Sequence, residues 1–474
     1  MPKLAGGIQD SQAMEDSSSS VESSKNTADE CLILDAHTLK DLEIFGSEEG
    51  DVTLFQFCNR ARTEGGARRL KQRMELPSSN PVRICATQDA ITFILANREA
   101  FTKLPSAYAA GRTDHYAHEV MPIVIEENPV EFTVGAFALW ANHGSHYLSI
   151  VRGVQLASRL IRSLRTFLLR DELASAVGEI APLIEEMRVL VNDTELTTVP
   201  AEEVGSWAWK ILRLDQVFRL REKEALARLL VLVYEIDALV AMADVTRDNK
   251  FVMPNLKEGP LRVSAENVVH PFLEKPVANP IEIDQKHRVL FLTGPNMAGK
   301  TTYLRAFAIA YYMAHLGMGV PATSFSFVPA QRLFSTISLN DDLHGGVSYF
   351  RAEALRAKAV ARAIAEGYRV VAIMDEPFKG TNVKDALDAS LAILKRFASK
   401  VDCLFMFSSH LIELGESLSV SHQVDCRNFE ADETGGRLSF DYLLRPGISK
   451  QRLGMRVLQE EGVFDLLDGE SGRF

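Results

Sequence analysis

A glycine-rich octapeptide is the segment of the chain with the clearest capacity for chemistry. Residues 294–301 read Gly-Pro-Asn-Met-Ala-Gly-Lys-Thr and match the pattern G-x-x-x-x-G-K-[ST] in full. Gly294 and Gly299 permit a tight nest of backbone N–H groups that binds anions, and a helix starting after them adds the positive end of its dipole. Lys300 could then reach the β- and γ-phosphates of a nucleotide, and Thr301 could ligate Mg²⁺. The octapeptide therefore predicts a nucleoside triphosphate site.

Two carboxylates follow an apolar run farther along the chain. Residues 370–374 read Val-Val-Ala-Ile-Met, and Asp375 and Glu376 come directly after them. At the carboxyl end of a strand, Asp375 suits Mg²⁺, directly or through water, and Glu376 is a candidate base that positions the attacking water. His410 follows another apolar run, 403–407, and is a candidate sensor of the γ-phosphate, although a lone histidine is more often structural.

The elements around these residues must bring them together. The apolar runs 289–292, 370–374 and 403–407 alternate with helical stretches, which predicts a mainly parallel sheet covered on both faces. A strand over 288–293 and an amphipathic helix over 301–315 flank the octapeptide. Residues 31–250 instead carry apolar positions at helical spacing, strongly over 211–236 and more weakly over 156–190. We therefore expect a mostly helical domain that gives way to an α/β domain near residues 251–254.

Composition limits the class of protein. The 474 residues are 46% hydrophobic and 24% charged, as in ordinary soluble domains. The chain has no uncharged apolar run of about 18 residues, no secretory pattern and no C-x-x-C pair among its five cysteines, so we expect a cytoplasmic protein without a membrane partner. The net charge of −11 excludes a wholly basic surface but not a local basic patch. Residues 1–30, dominated from residue 7 by Ser, Asp and Glu, are expected to form a disordered tail.

Taken together, these segments resemble the MutS family of DNA mismatch-repair ATPases. The similar segments occur in family order at residues 294–302, 340–350, 375–382, 409–410 and 442–454, within a resemblance that covers 268–460. Residues 41–99 resemble, less strongly, the start of the family's helical core domain. The resemblance implies an ABC-type P-loop NTPase domain over 251–474, preceded by a helical core and lever domain over 31–250.

The resemblance also implies a role for each site residue. ATP and Mg²⁺ would occupy a composite site at a homodimer interface, with Thr301 and Asp375 at the metal and with Glu376 and His410 acting within one chain. Ser348 would reach the γ-phosphate of the partner's nucleotide. Tyr442 falls where many members have a histidine that contacts adenine, and its ring could stack there instead. The residues assigned to the nucleotide are Gly294, Pro295, Asn296, Met297, Ala298, Gly299, Lys300, Thr301, Thr302 and Tyr442.

Several positions depart from the family pattern. Pro276 stands where the family commonly has a phenylalanine that stacks on adenine, and Tyr349 replaces the usual threonine. Residues 377–379 read Pro-Phe-Lys in place of a more common Ile-Gly-Arg. The family's mismatch reader carries an F-x-E wedge in an N-terminal domain, whereas the F-x-E string of this chain is at 272–274, just before the octapeptide. The clamp is expected to be reduced or absent, and mismatch specificity does not follow from the resemblance.

Three functions are compatible with these features. The first is a DNA-binding ATPase that controls a DNA clamp in mismatch repair or another repair or recombination process. The second is an ATP-dependent switch that acts on a protein or RNA partner, and the third is the ATPase of a membrane transporter, whose signature fits residues 341–350 less well. Two basic clusters could contact DNA phosphates, although charge runs are usually solvated helix faces. They comprise Arg60, Arg62, Arg68, Arg69, Lys71 and Arg73, and then Arg152, Arg159, Arg162, Arg165 and Arg170.

Overall fold

The chain has a helical part followed by an α/β part with a mainly parallel sheet, as the sequence predicts. A computed structural model describes residues 30–46, 50, 52–205, 207–337, 349–419, 421–432, 438–451 and 453–467. The tail expected over residues 1–30 lies outside these residues except for Glu30, and so does Ser348.

The helical part is built around one long buried helix. Its helices are α1 (Ala36–Asp41), α2 (Leu54–Cys58), α3 (Glu64–Glu75), α4 (Pro81–Ala96), α5 (Ala107–His118), α6 (Pro129–Asn142), α7 (Gly144–Leu168), α8 (Ile180–Asn192), α9 (Ala208–Gln216) and α10 (Lys223–Asp248). Short 3₁₀ helices span Ala100–Lys103, Asp171–Ser175 and Glu195–Thr198. Helix α10 packs against α3, α4 and α8, and because it has apolar residues on all sides, nearly its whole circumference is buried.

The helix predicted over residues 211–236 is interrupted. A π-helical turn, Val217–Arg221, separates α9 from α10. A buried ion pair lies at this turn, in which Arg219 Nε donates to Asp215 Oδ1 at 2.7 Å, and the hydroxyl of Tyr116 donates to the same carboxylate at 2.5 Å. Apolar spacing alone could not reveal this interruption, because the polar pair that accompanies it depends on Tyr116 from a distant helix.

The main sheet of the α/β part carries the predicted strands. The strands of this chain are β1 (Ile33–Leu34), β2 (Asn255–Leu256), β3 (Val263–Val268), β4 (Asn279–Ile283), β5 (Val289–Thr293), β6 (Ser324–Phe327), β7 (Arg332–Thr336), β8 (Val370–Asp375), β9 (Cys403–Ser408), β10 (Val424–Asn428), β11 (Ala431–Asp432), β12 (Ser439–Phe440) and β13 (Arg445–Pro446). The main sheet has the order β1-β7-β8-β9-β5-β10-β13 and is parallel except for β13. The helices of the α/β part are α11 (Lys300–His315), α12 (Tyr349–Ala365), α13 (Val383–Ala398), α14 (Ile412–Leu418), α15 (Gly454–Glu460) and α16 (Val463–Leu467).

Helix α11 connects the site to the rest of the molecule. It packs on β8 and β9 of the main sheet and on β3 of a second sheet with the order β2-β6-β3-β4. Tyr311 Oη donates to the carbonyl of Val328 at 2.8 Å, and the hydroxyl of Tyr312 donates to the carbonyl of Met74 in α3. The helix that follows the octapeptide is therefore held from both the α/β part and the helical part.

The start of the described chain joins the main sheet. Strand β1 pairs in parallel with β7, so residues that precede the helical part in sequence form an edge strand of the α/β part. Asp41 accepts hydrogen bonds from Ser335 Oγ at 2.9 Å and from the backbone N–H of Ile337 at 2.7 Å. Arg356 of α12 forms an ion pair with Asp35. The domain division at residue 250 stays a prediction, and this edge strand crosses it.

The described residues provide neither a membrane-spanning helix nor a cluster of metal-binding side chains. Among the described helices, none combines the length and apolarity that crossing a membrane requires. In the same part of the chain, no group of three or more His, Cys, Asp and Glu side chains could hold a metal ion.

Candidate nucleotide site

The octapeptide forms a loop between β5 and α11. Gly294 and Gly299 have φ values of 141° and 97°, in the region that favours glycine, and Met297 adopts a φ of 71°. A Cβ atom on Gly294 would lie 2.6 Å from the carbonyl oxygen of Phe429, which leaves no room for a side chain. Both glycines of the pattern are thus required by the backbone itself. The loop ends where α11 begins, at Lys300.

The Lys300 ammonium group lies inside this loop. Its Nζ donates to the carbonyl oxygens of Gly294 at 2.8 Å and Pro295 at 3.0 Å. The side chain is 5% exposed, and Nζ lies 3.6 Å from Oε1 of Glu376. Burial lowers the pKa of Lys300, while the carboxylates of Glu376 and Asp375 act in the opposite direction. A buried cation with one close carboxylate is a suitable group for an incoming anion.

Thr301, in the first turn of α11, meets Asp375, the last residue of β8. Because β9 lies between β5 and β8, the carboxyl ends of these parallel strands bring Thr301, Asp375 and Ser408 together. Thr301 Oγ1 donates to Asp375 Oδ2 at 2.5 Å, and the hydroxyl of Ser408 donates to the other carboxylate oxygen. A hydroxyl and a carboxylate in contact are hard oxygen ligands of the kind that Mg²⁺ prefers. This pair fits the metal that the sequence assigned to it.

Glu376 lies among three groups that can carry positive charge. Besides Lys300, Lys379 Nζ lies 3.3 Å from Oε2 and His410 Nδ1 lies 3.8 Å from the same oxygen. His410 and the two lysines together lower the pKa of Glu376 from 4.5 to about 2, against the opposing effect of burial. The backbone N–H of Glu376 donates to Ser408 Oγ at 3.0 Å, and its φ of 46° is a left-handed conformation held by that contact. Glu376 is therefore an ionised, fixed acceptor at the carboxyl end of β8.

A cleft of about 650 Å³ opens over the loop. Tyr442 lines this cleft and is 42% exposed, and its ring comes within 3.2 Å of the Cβ position at Gly299. Asn279 fixes this segment, since its Nδ2 donates to the carbonyl of Tyr442 at 2.9 Å and its Oδ1 accepts from the N–H of Leu444 at 2.7 Å. Pro276 also lines the cleft and offers no aromatic face. Tyr442 is thus placed where a ring could face a base.

His270 also lines the cleft. Burial lowers the pKa of His270 to about 4, and the charge of Arg305 acts in the same direction. The imidazole is consequently neutral at physiological pH, so one of its nitrogens is a donor and the other an acceptor. The ring meets Phe272 edge to face, with the centroids 5.3 Å apart.

Most of the residues singled out in the sequence come together here. His410 stands at the edge with 58% of its side chain exposed, and Gly294 and Ala298 are buried. Ser348 lies outside the described residues, so its contribution stays a prediction, as do the roles of the others. The residues that line the cleft as expected are Pro295, Asn296, Met297, Gly299, Lys300, Thr301, Thr302, Asp375, Glu376 and Tyr442.

Sequence reasoning missed three supporting residues. Ser408 holds Asp375 and the backbone of Glu376, and a hydroxyl at the end of the apolar run 403–407 was the available signal. Lys379 approaches Glu376 from within the loop after β8. Asn279 carries no local signal, because its partners lie more than 160 residues away in the sequence.

The two basic clusters are largely engaged within the helical part. Arg69 and Arg73 form ion pairs with Glu235, and Arg73 also pairs with Glu179 at 2.7 Å. In the second cluster, Arg165 donates to the carbonyls of Val199 and Leu196, and Arg162 donates to that of Glu202. These contacts hold helices and loops together. The cluster members with exposed side chains are Arg60, Arg62, Arg68, Lys71, Arg152 and Arg159.

Comparison with known families finds two matches along the chain. The family described as MutS domain III matches residues 37–114, and the one described as MutS domain V matches residues 290–465. The first match includes most of α1 and the packing helices α3 and α4, whereas the second includes the loop, β8, β9 and all of β5 except its first residue.

Individual relatives carry the same name. The chain is 30% identical over 298 residues to the DNA mismatch repair protein MutS of Listeria monocytogenes, which covers 61% of this chain and 33% of the relative. It is 31% identical over 300 residues to that of Brevibacillus brevis, with 61% and 33% covered, and 28% identical over 305 residues to that of Lactobacillus johnsonii, with 62% and 34% covered. The chain therefore spans about a third of the length of these relatives.

Proposed function

This chain belongs to the MutS family, and from that premise we propose that it is a DNA-binding ATPase whose nucleotide site is the cleft over residues 294–301. Residues 251–474 would form the P-loop ATPase domain and residues 31–250 the helical domain that responds to it. The relatives are named for DNA mismatch repair, and we propose a role in that process or in another process of DNA repair or recombination.

One observation carries this proposal. A single cleft is lined by the buried ammonium group of Lys300, by the hydroxyl–carboxylate pair of Thr301 and Asp375, and by the ionised carboxylate of Glu376. These are the groups that phosphoryl transfer to water requires: charge stabilisation, a metal ligand set and a residue that orients the water.

Each residue contributes one part of the chemistry. Lys300 would exchange the loop carbonyls for the β- and γ-phosphate oxygens of ATP, and Thr301 and Asp375 would hold Mg²⁺. The metal, when bound, neutralises charge on the phosphate oxygens. Glu376 would accept a hydrogen bond from the attacking water, and its low pKa makes it a positioning group more than a strong base. His410 would keep that carboxylate in place and contact the γ-phosphate from the edge of the cleft.

A second chain would complete the site. The resemblance assigns Ser348 to the γ-phosphate bound by the partner, in an isologous arrangement with two nucleotides between two chains. Gly345 and Gly346 precede the serine and would allow its hydroxyl and nearby backbone N–H groups to approach a phosphate. ATP would favour the closed homodimer to the extent that it binds that state more tightly.

A second candidate function, an ATP-dependent switch, is supported by the contacts that the basic clusters make within the chain. Because Arg69, Arg73, Arg162 and Arg165 are engaged in contacts within the chain, fewer cations remain for phosphates than the sequence offered. An ATP-dependent switch that acts on a protein partner would need no such surface, whereas one that acts on RNA would need cations for the phosphates just as a DNA-binding protein does. Comparing ATP turnover without nucleic acid and with homoduplex, heteroduplex, branched DNA or RNA separates the two functions.

The proposal is tested by separating nucleotide binding from turnover. Lys300→Ala should weaken binding of a fluorescent ATP analogue at least tenfold, because it removes the phosphate-directed charge. Glu376→Ala should bind the analogue like the wild type and lose steady-state hydrolysis, because the water loses its acceptor. Glu366→Ala, which changes an exposed glutamate in the turn directly after α12, is the matched control and should leave both unchanged. Wild-type hydrolysis by Glu376→Ala would show that the assignment of Glu376 is wrong.

A further inference from the structure

A buried carboxylate on α12 has no part in the chemistry described so far. Glu353 is 3% exposed, although it is a glutamate in the second turn of a helix. Its neighbours on the same stripe, Phe350 three residues before it and Ala357 four residues after it, are apolar and belong to a cluster with Phe378. Because a charged group leaves water only at a high cost, a buried carboxylate requires polar partners in its surroundings.

The partners of Glu353 are backbone groups of the loop that follows β8. Its Oε1 accepts a hydrogen bond from the N–H of Lys379 at 3.2 Å, and its Oε2 accepts one from the N–H of Gly380 at 3.3 Å. Burial raises the pKa of Glu353, and these N–H groups oppose that rise. One side chain of α12 thus holds two successive peptide groups that lie 26 and 27 residues later in the sequence.

The loop requires such contacts because its backbone is strained. Glu376 has a φ of 46° and Phe378 a φ of 66°, in the left-handed region that is unfavourable for residues other than glycine. Phe378 stands where the MutS family more commonly has that glycine. Before it, the N–H of Glu376 donates to Ser408 Oγ at 3.0 Å, and after it, Glu353 accepts from the next two N–H groups. Contacts on both sides therefore fix the strained stretch.

Fixing this loop also fixes the side chain of Lys379. Its Nζ lies 3.3 Å from Oε2 of Glu376, and Lys379 lines the nucleotide cleft with 48% of its side chain exposed. A long, half-exposed side chain loses much rotamer freedom when it stays with one partner, so its ion pair depends on how firmly its backbone is held. Glu353 provides that hold at the N–H of Lys379 itself.

We propose that Glu353 is a positioning residue for the carboxylate of Glu376 and that it acts through Lys379. Glu353 is not among the described residues that line the nucleotide cleft, so it reaches the site only through the loop. The proposal rests on the proposed ATPase function and deepens it, because the orientation of Glu376 then depends on the position of α12. That helix is itself held by Arg356, which donates to the carbonyl of Ser335 in β7 at 2.6 Å.

Hydrogen exchange of the nucleotide-free chain measures the hold of Glu353 on the loop. In Glu353→Ala the amides of Lys379 and Gly380 lose their acceptor, so a peptide covering residues 377–383 should exchange at least about tenfold faster than in the wild type. Glu353→Gln keeps one acceptor oxygen and should exchange at an intermediate rate. Glu366→Ala, which removes an exposed glutamate in the turn after α12, is the matched control and should exchange like the wild type.

Steady-state kinetics show whether this hold affects ATP hydrolysis. Glu353→Ala should lower kcat by roughly tenfold to a hundredfold, because a small misplacement of the group that orients the water has a large effect on the rate. The dissociation constant of a fluorescent ATP analogue should change by less than about twofold, since Lys300 and the loop before it are unaltered. Glu353→Gln should recover part of the lost kcat, and Glu366→Ala should keep the wild-type value.

A double-mutant cycle tests whether Glu353 acts through Lys379. Lys379→Met removes the ammonium group but keeps an unbranched side chain, so it should lower kcat and leave the exchange of the loop amides unchanged. The double variant with Glu353→Ala and Lys379→Met should be no slower than the slower of the two single variants, because both changes break the same series of contacts. Circular dichroism and thermal midpoints confirm that each variant is folded.

Three outcomes would overturn the proposal. The first is loop exchange in Glu353→Ala at the wild-type rate. The second is faster exchange with a wild-type kcat, which would make the contact merely structural. The third is a double variant whose loss of kcat is the product of the two single losses, since Glu353 and Lys379 would then act separately. Absence of ATP hydrolysis by the wild type would instead refute the proposed function, and faster exchange in the Glu353 variants would still support their effect on the loop.

Discussion

Glu376 is held at the site by opposite charges, and this makes its contribution to stability dependent on pH. Its folded pKa of about 2 lies below the ordinary value of 4.5. The stabilisation is therefore complete above about pH 4.5 and is lost as the pH falls toward 2, where the carboxylate takes up a proton. The groups responsible, His410, Lys300 and Lys379, are the groups proposed to surround the γ-phosphate.

We therefore predict that replacing Glu376 by a neutral side chain lowers the free energy of unfolding by an amount that depends on pH. In urea titrations at pH 7, Glu376→Gln should have a free energy of unfolding roughly 1–2 kcal/mol below that of the wild type, because it leaves the neighbouring lysines without their carboxylate. The difference should shrink steadily between pH 4.5 and 3. Glu366→Gln, on an exposed glutamate, should show no such trend. A difference between Glu376→Gln and wild type that is independent of pH would contradict the low pKa.

At the scale of elements, Arg356 ties the start of the chain to α12. Its guanidinium pairs with Asp35 and donates to Thr38 Oγ1 at 3.3 Å and to the carbonyl of Ser335 at 2.6 Å. These contacts join α1 and its N-cap residue Asp35, which directly follows β1, to β7 and α12.

Removal of this guanidinium should loosen the edge of the sheet. Arg356→Ala should lower the free energy of unfolding by about 1–3 kcal/mol, the usual cost of losing hydrogen bonds to a charged group. Hydrogen exchange should increase in residues 33–41. Arg351→Ala, which alters an exposed arginine on the same helix, serves as control. If the two variants have equal stability and equal exchange, Arg356 does not hold β1 in place.

The sequence predicted those elements whose own residues specify them. Strands β5, β8 and β9 are apolar and buried on both faces up to their last residue, which is polar in each, so their composition alone identified them. The octapeptide likewise contains the glycines that its backbone needs. Because Lys300, Asp375 and Glu376 adjoin these strands, their meeting at one edge of the sheet followed from parallel topology.

The remaining features depend on contacts between distant residues. Strand β1 has two residues, too few for a recognisable pattern, and exists because β7 offers an open edge. Arg69 looked available to DNA because its partner, Glu235, lies on α10, far away in sequence. Similarly, Asn279 fixes the position of Tyr442 through two hydrogen bonds, which no local sequence pattern predicts.

At the scale of the whole molecule, we expect DNA binding to be weak, salt-dependent and nearly indifferent to mismatches. The exposed cations of the two clusters, such as Arg60 and Arg152, can contact phosphates, which carry no sequence information. Log affinity should fall linearly with log salt concentration, steeply if many phosphates are contacted. Fluorescence anisotropy with G·T heteroduplex and homoduplex measures both properties. A preference of tens-fold for the heteroduplex would refute the expectation.

The assembly of two chains around two nucleotides is the central claim. Ser348→Ala should lower hydrolysis without removing nucleotide binding to the isolated chain, because the serine would act on the nucleotide of the partner. Lys300→Ala should be inactive because its own loop cannot hold the phosphates. In a mixed dimer, one site combines an intact loop with an intact partner serine.

The most direct measurement is therefore steady-state ATP hydrolysis by a mixture of Ser348→Ala and Lys300→Ala chains, with mixed dimers verified by differential labelling. We predict that the mixture regains up to about half of the activity of a wild-type dimer per mixed dimer, since one of its two sites is complete. A mixture no more active than Ser348→Ala alone, with mixed dimers present, would contradict a site shared between chains.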